Sequence, residues 1–188
     1  MMAKARIARS VCKNEEGGAA VLLITLLAIL SLTALWLASV NWSKHALTLD
    51  KAKPILDQAT RAASLDVDPA ALGEGRLVWN EEAGKRSFTA YLYRNLRLDE
   101  DGNPLDGSML AAPPLIHSLE FATAPAYPFT LHRSVELYAG TEDETVRVVD
   151  VTLYGPSVLS IVELRTKSIG SGRLEPLILS SVSSIRYR

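Results

Sequence analysis

One acidic segment has the residue types and the spacing that could bind a cation. Residues 99–106 (DEDGNPLD) place carboxylate and amide oxygens at alternate positions, and calcium prefers oxygen ligands of this kind. An EF-hand loop, however, needs glycine at its sixth position and glutamate at its twelfth, where this chain has Pro104 and Leu110. Asp, Asn, Gly and Pro also favour tight turns. We therefore predict a plain turn or loop here and no metal site.

The other residues that could do chemistry do not form a known motif. The histidines His45, His117 and His132 are widely separated and lack the HExxH spacing of a zinc site. The chain has no GxSxG sequence, no phosphate-binding glycine loop and no dinucleotide fingerprint. We predict structural histidines, no catalytic residues and no cofactor, and hence a protein that is not an enzyme. A membrane-tethered hydrolase is the weakest alternative.

Composition argues against further classes of protein. Among 188 residues, 20 basic and 21 acidic side chains leave a net charge of −1, and the basic residues form no stripe. Nucleic-acid binding is therefore not expected, and no small-molecule substrate is evident. Cys12 is the single cysteine, which excludes an intrachain disulfide and a cysteine-based metal cluster.

The element that must position everything else is an uncharged apolar run. Residues 17–40 (GGAAVLLITLLAILSLTALWLASV) contain no charged residue. As a helix rising about 1.5 Å per residue they would be about 36 Å long, enough to cross a hydrocarbon core of about 30 Å with some tilt. We predict a transmembrane helix at residues 17–43, with the lipid bilayer as a partner. The alternative, a cleaved secretory signal, would have a shorter apolar region and a better cleavage site than Leu37-Ala38-Ser39.

The flanking charges predict the orientation of this helix. The leader, residues 1–16, has four basic residues against two acidic ones: Lys4, Arg6, Arg9 and Lys13 against Glu15 and Glu16. Lysines also follow the run, but they are spread along a further helical segment: Lys44, Lys51 and Lys53. The excess of basic residues before the run places the N-terminus, with a reduced Cys12, in the cytoplasm and the C-terminal domain outside the cytoplasmic membrane.

Small residues in the apolar run are candidates for helix packing. They are Ala19, Ala20, Ala28, Ala34 and Ala38. Small side chains let a partner helix approach closely, but alanines of this kind can equally face lipid. The sequence leaves both interpretations open.

Residues 44–68 predict an amphipathic continuation of the helix. Apolar residues recur at three- and four-residue steps with charged residues between them: Ala46, Leu49, Ala52, Leu56, Ala59 and Ala63. Ala59, Ala62 and Ala63 are further candidates for helix packing. These alanines belong either to a core face or to a surface for a partner helix. Pro54 predicts a bend or a new helix start near Lys53.

Beyond residue 75 the pattern becomes extended. It predicts a hairpin of residues 76–80 and 87–98 joined by a polar loop at 81–86, and later strands at 116–122, 134–138, 145–154 and 177–187. The apolar parity switches between Val148 and Val149, which predicts a bulge. Residues 156–164 fit a strand or a helix begun by Pro156, and we favour the helix. The serines of the last strand are expected on a solvated face: Ser180, Ser181, Ser183 and Ser184.

The predicted fold class is therefore α+β. An N-terminal transmembrane helix continues into an extracytoplasmic amphipathic helix and is followed by a mainly antiparallel β domain over residues 69–188.

The N-terminal third resembles a known family. The sequence EGGAAV at residues 16–21, the Leu/Ile/Ala span after it and LDQATRAASL at residues 56–65 resemble the TadE/TadG-like proteins of tight-adherence (Flp) pilus assembly. Those proteins enter one membrane helix through a glycine, small residues and valine, and close with a Gln-x-Ala-x-x-Ala-Ala-x-Leu type segment. The resemblance covers about residues 13–66. It departs at Asp57, where the family usually has Gln, and at Arg61, where it usually has an acidic residue, so no charge-specific contact is carried over.

The resemblance also bears on processing. Pilin-like members have a glutamate five residues after their cleavage site, where it neutralises a neighbour's N-terminal amine, and this chain has Leu22 or Leu23 there. That difference favours an uncleaved membrane protein over a main filament subunit. Cleavage after Gly17 or Gly18 is the alternative, suggested by the sequence EEGG at residues 15–18.

The resemblance implies a minor pilin-like or accessory component of a tight-adherence pilus or related secretion apparatus. Its expected partners are other pilus-assembly or envelope proteins of a bacterium. The alternative function is a membrane-tethered extracytoplasmic binding module of the envelope, unrelated to pili.

Overall fold

A computed structural model describes residues 3–124, 126–138 and 144–185, with side chains from Gly18 onward. In this part of the chain there are three helices and five strands: α1 (Ala3–Leu65), α2 (Pro69–Gly73), α3 (Glu81–Leu96), β1 (Ala112–Ala122), β2 (Phe129–Leu137), β3 (Thr145–Leu153), β4 (Ser157–Lys167) and β5 (Leu174–Ser184). The chain divides into two compact units, Met1–Lys44 and His45–Arg188. The predictions for the side chains of the leader, Cys12 and Gly17, and for the end of the last strand at Tyr187, lie outside the described residues.

The predicted α+β class, with a mainly antiparallel sheet, is confirmed. Strands β1, β4 and β5 form a sheet with β4 in the centre, and β2 and β3 form a separate two-stranded ribbon. Every pairing is antiparallel. Four of the strands, β1, β2, β3 and β5, were expected from the sequence, although their ends differ by several residues.

Strand β4 forms the centre of the second unit. Val158 and Val162 pack with the buried side chains of α1 and α3, whereas Leu159 and Ile161 pack with those of the ribbon. Helices therefore cover one face of the three-stranded sheet and the ribbon covers part of the other. The prediction of a helix at residues 156–164 was wrong, because a strand buried on both faces has a nearly continuous apolar sequence rather than an alternating one.

The predicted hairpin of residues 76–80 and 87–98 was also wrong. Residues 81–96 form α3, and Trp79 makes only an isolated bridge with Val67. The Asn80 side chain accepts a hydrogen bond from the Ala83 N–H and so caps the helix. Phe88, Leu92 and Leu96, which would share one face of the predicted strand at residues 87–98, are four residues apart and form the buried face of α3.

Two smaller expectations also differ from the structure. The β2–β3 register is continuous, so β3 has no bulge. The parity switch arises because Val146 and Val148 lie on the exposed side of the ribbon, while Val149 and Val151 pack inward. In addition, α1 runs through Pro54 without a new helix start.

Candidate functional site: an exposed apolar helix and a buried glutamate

The first candidate site is the apolar part of α1. Its segment from Gly18 is the one helix in the described part of the chain that is long and apolar enough to cross a membrane, and none of its most apolar stretch is buried by protein. Large side chains along it are more than half exposed, including Val21, Leu32 and Trp36. Apolar surface on this scale is costly in water, so it requires lipid or protein around it.

The hydroxyl groups in this segment do not oppose an apolar environment. Thr25, Ser31 and Thr33 each donate a hydrogen bond to a backbone carbonyl three or four residues earlier in the same helix. A hydroxyl satisfied in this way has little need of water. The segment can therefore enter a bilayer without leaving these polar groups unpaired.

The small residues proposed for helix packing fall into two groups. Ala19, Ala20, Ala28, Ala34 and Ala38 are exposed on the apolar segment, and Gly18 has open space around it. Ala59 and Ala63 are fully buried in the core of the second unit, and Ala62 is half-buried. The stripe of the amphipathic segment is thus a core face of this chain.

Ala63 also marks a close approach of two helices. A Cβ atom added to Gly84 in α3 would lie 3.1 Å from the Ala63 carbonyl oxygen and 2.7 Å from Cζ of Phe121. Glycine at residue 84 and alanine at residue 63 therefore allow α3, α1 and β1 to meet at this point.

A line of polar contacts joins α1 to the sheet. Asp57 accepts hydrogen bonds from Lys53 at 2.6 Å and from the hydroxyl of Ser181 at 2.6 Å. Further along, the hydroxyl groups of Thr60 and Ser160 and those of Ser64 and Ser183 are 2.6 and 2.8 Å apart. The prediction that the β5 serines form a solvated face was therefore wrong for Ser181 and Ser183, and Ser184 bonds to the hydroxyl of Ser157.

The second candidate site surrounds Glu163, a buried charged side chain in β4. The Glu163 side chain is 1% exposed. One of its carboxylate oxygens accepts a hydrogen bond from Arg165 Nε at 2.7 Å, and the other lies 3.0 Å from His117 Nε2. A buried carboxylate with a positively charged hydrogen-bond donor avoids much of the cost of desolvation. Sequence reasoning missed this cluster, because residues 117 and 163 meet only through the pairing of β1 with β4.

A cavity of about 270 Å³ adjoins this cluster. Glu163 and Arg165 line it together with Glu136, Tyr138 and two residues of β5, Leu174 and Pro176. It combines apolar walls with charged groups, which is the usual composition of a small ligand site. Of the residues described, no group of three His, Cys, Asp or Glu could hold a metal ion.

Two other ionic groups have structural roles. Arg133 of β2 donates to both carboxylate oxygens of Glu120 in β1, and this hydrogen bonding, with help from Ser118, lowers the pKa of Glu120. The pair links the ribbon to the three-stranded sheet. His132 lies 2.7 Å from Asp150 on the exposed side of the ribbon.

The acidic loop at residues 99–106 is a turn. Asp99 accepts hydrogen bonds from the N–H groups of Asp101 and Asn103, and the Asn103 side chain donates to its other oxygen. These hydrogen bonds lower the pKa of Asp99, and the bond from the Asn103 backbone N–H has the largest effect. The Asp99 carboxylate thus holds together the turn that the sequence predicts.

Comparison of the chain with protein-family models, curated proteins and solved structures gave no match.

Proposed function

We propose that this chain is a single-pass, non-catalytic membrane protein with a cytoplasmic N-terminus and an extracytoplasmic domain. The observation that carries the proposal is the exposed apolar segment of α1, whose length and composition suit a bilayer. The basic residues of the leader support the orientation, because cytoplasmic flanks are enriched in Lys and Arg.

Within this class, we infer a minor pilin-like or accessory component of a tight-adherence (Flp) pilus or related secretion apparatus. The inference rests on the resemblance of residues 13–66 to the TadE/TadG-like proteins. It is supported by the exposed small residues of the apolar segment, which would allow other membrane helices to approach. It is also supported by the second unit, in which α1 packs on an antiparallel sheet and provides a compact domain for contacts with other envelope proteins.

A second candidate function is a tethered binding module of the envelope. The cavity next to Glu163 favours it, because the recess combines apolar walls with the charged groups of Glu136, Glu163 and Arg165, and the Glu163 side chain is 1% exposed. Neighbouring genes distinguish the two functions. A secretion ATPase and a prepilin peptidase encoded nearby would support pilus assembly, whereas their absence would favour the binding module.

The natural cysteine provides a direct test of membrane topology. A membrane-impermeant maleimide should label Cys12 only after intact cells are permeabilised, because the leader lies in the cytoplasm. The matched control is Cys12→Ser/Val148→Cys, which moves the thiol to a side chain that is 63% exposed on the ribbon and should be labelled in intact cells. The opposite labelling pattern would show an inverted topology, and release of the chain by alkaline washing would argue against a membrane anchor.

The N-terminus of the native protein tests processing. Intact-mass measurement on washed membranes should find the full-length chain. A mature N-terminus at Gly18 or Ala19 would instead move the protein into the processed pilin class, and one after Ser39 would indicate a secreted domain.

A further inference from the structure

The cavity next to Glu163 lies on the face of the three-stranded sheet that the ribbon partly covers. Leu159 and Ile161 of β4 pack with the ribbon on that face. Side chains two positions apart along a strand lie on the same face, so Glu163 and Arg165 continue the row. At these two residues the sheet borders a cavity of about 270 Å³ instead of a filled core.

Apolar and aromatic side chains form part of the cavity wall. They come from β1, from β5 and from the residue that follows β2: Leu115, Leu174, Pro176 and Tyr138. Leu115 and Leu174 are large side chains, yet they remain 46% and 43% exposed. Exposed apolar groups that border one recess provide a surface for the apolar part of a small ligand.

Glu163 holds the guanidinium group of Arg165 in the cavity wall. Arg165 Nε donates to one Glu163 oxygen at 2.7 Å, and the other oxygen lies 3.0 Å from His117 Nε2. An arginine has four further N–H donors on its two terminal nitrogens, in a planar arrangement that matches a carboxylate. Within the described part of the chain no acceptor bonds to those nitrogens, and the Arg165 side chain is 40% exposed. Arg165 is therefore fixed in place with donors available for a ligand.

Glu136, near the end of β2, supplies a negative charge to the same cavity. Its side chain is exposed, and the ion pairs among the residues that the structure describes do not include it. Glu136 and Arg165 thus line one small cavity without forming an ion pair with each other. Such an arrangement is complementary to a ligand that carries both an ammonium group and a carboxylate.

We propose that this cavity binds a free amino acid with an aliphatic side chain. The ammonium group of the ligand binds Glu136, its carboxylate binds the terminal nitrogens of Arg165, and its side chain packs against the apolar walls. A volume of about 270 Å³ is just below the roughly 300–1,000 Å³ of sites for drug-sized ligands, which favours a single amino acid over a peptide. The inference rests on the second candidate function, the tethered binding module, and names its ligand class.

Equilibrium dialysis of the full-length chain in detergent micelles against radiolabelled L-leucine tests the ligand class, with empty micelles as the blank. Binding should be saturable. Isocaproate lacks the ammonium group of leucine and isoamylamine lacks its carboxylate, so each should compete about tenfold less well than unlabelled leucine. The absence of saturable binding, or competition by either analogue as strong as that by leucine, would overturn the proposal.

Two variants test the position of the ligand. Glu136→Gln removes the charge of an exposed side chain and should weaken leucine binding about tenfold. The matched control is Glu100→Gln, at an exposed carboxylate outside the cavity, which should bind leucine as the native protein does. Leu174→Trp fills the apolar part of the cavity without changing any charge and should abolish binding. Native affinity in either Glu136→Gln or Leu174→Trp would refute this site.

Failure of this inference and failure of the proposed membrane topology give different results. The labelling of Cys12 reports the topology without any ligand. A chain with a cytoplasmic Cys12 that does not bind leucine would retain the membrane anchor and lose the ligand. A chain that binds leucine in the inverted topology would retain the site and lose its extracytoplasmic location.

Discussion

The hydroxyl groups of Thr60 in α1 and Ser160 in β4 lie 2.6 Å apart in the core, where both residues are fully buried. Thr60 donates its own proton to the Leu56 carbonyl, so Ser160 is the donor in this pair. The two residues join the central strand to the helix through a single buried hydrogen bond.

Thr60→Val should therefore destabilise the domain. It leaves the Ser160 hydroxyl without an acceptor, at a cost of about 1–3 kcal/mol. Thermal unfolding of the full-length chain in detergent, followed by circular dichroism, should show a midpoint lower by several degrees. The double variant Thr60→Val/Ser160→Ala should recover part of the loss, because it removes both partners. Thr89→Val, at a hydroxyl nearer the surface, is the control, and an equal loss there would contradict the assignment.

Gly84→Ala should destabilise the packing of α3 on α1 and β1. The added Cβ would lie 2.7 Å from Phe121 Cζ and 3.1 Å from the Ala63 carbonyl, so side chains or helices must shift. Overpacking of this kind costs about 1–3 kcal/mol. Gly73→Ala is the matched control, because that position has nothing within 4 Å and should change the unfolding midpoint little. Identical midpoints for the two variants would show that α3 does not pack as closely as described.

Glu163→Ala should cost more stability than Glu163→Gln. The Glu163 side chain is 1% exposed. Alanine removes both carboxylate oxygens and leaves His117 and Arg165 without their hydrogen-bond partner, whereas glutamine keeps one acceptor oxygen. We expect a loss of about 2–3 kcal/mol for alanine and about half of that for glutamine. Chemical denaturation measures both. Glu100→Gln, on an exposed residue, should be neutral, and a Glu163→Ala variant as stable as that control would exclude a structural role for the cluster.

The Glu120–Arg133 pair should contribute to stability at neutral pH and lose that contribution in acid. The Arg133 hydrogen bonds hold the pKa of Glu120 in the folded protein below its ordinary value of 4.5. The unfolded chain therefore takes up the proton first as pH falls, and the stabilisation disappears as pH falls from about 5 through the lowered pKa. Both side chains are about one-third exposed, so solvent screening limits the effect to about 0.5–1 kcal/mol.

The variant Glu120→Gln measures this contribution. Its unfolding free energy should be lower than that of the native protein at pH 7, and the difference should shrink on acidification to pH 3. A difference independent of pH would mean that the pair acts through packing rather than through charge.

The local sequence determined the elements whose pattern depends on few neighbours. The uncharged apolar run of residues 17–40 could be recognised without tertiary structure, because a run of this length needs lipid or protein around it wherever it lies in a chain. Strands β1, β2, β3 and β5 were recognisable because their exposed and buried positions differ in composition. The turn at residues 99–106 was recognisable because its side chains bond to their own backbone.

Tertiary structure decided the remainder. Phe88, Leu92 and Leu96 fit a strand or a helix, and the Asn80 cap with the adjacent glutamates was the available signal for α3. Strand β4 is apolar on both sides because helices cover one face and the ribbon the other, an environment that its sequence does not specify. The contacts of Glu163 with His117 and of Thr60 with Ser160 join residues 46 and 100 positions apart. Such pairs depend on strand register and helix docking, which arise only when the whole domain packs.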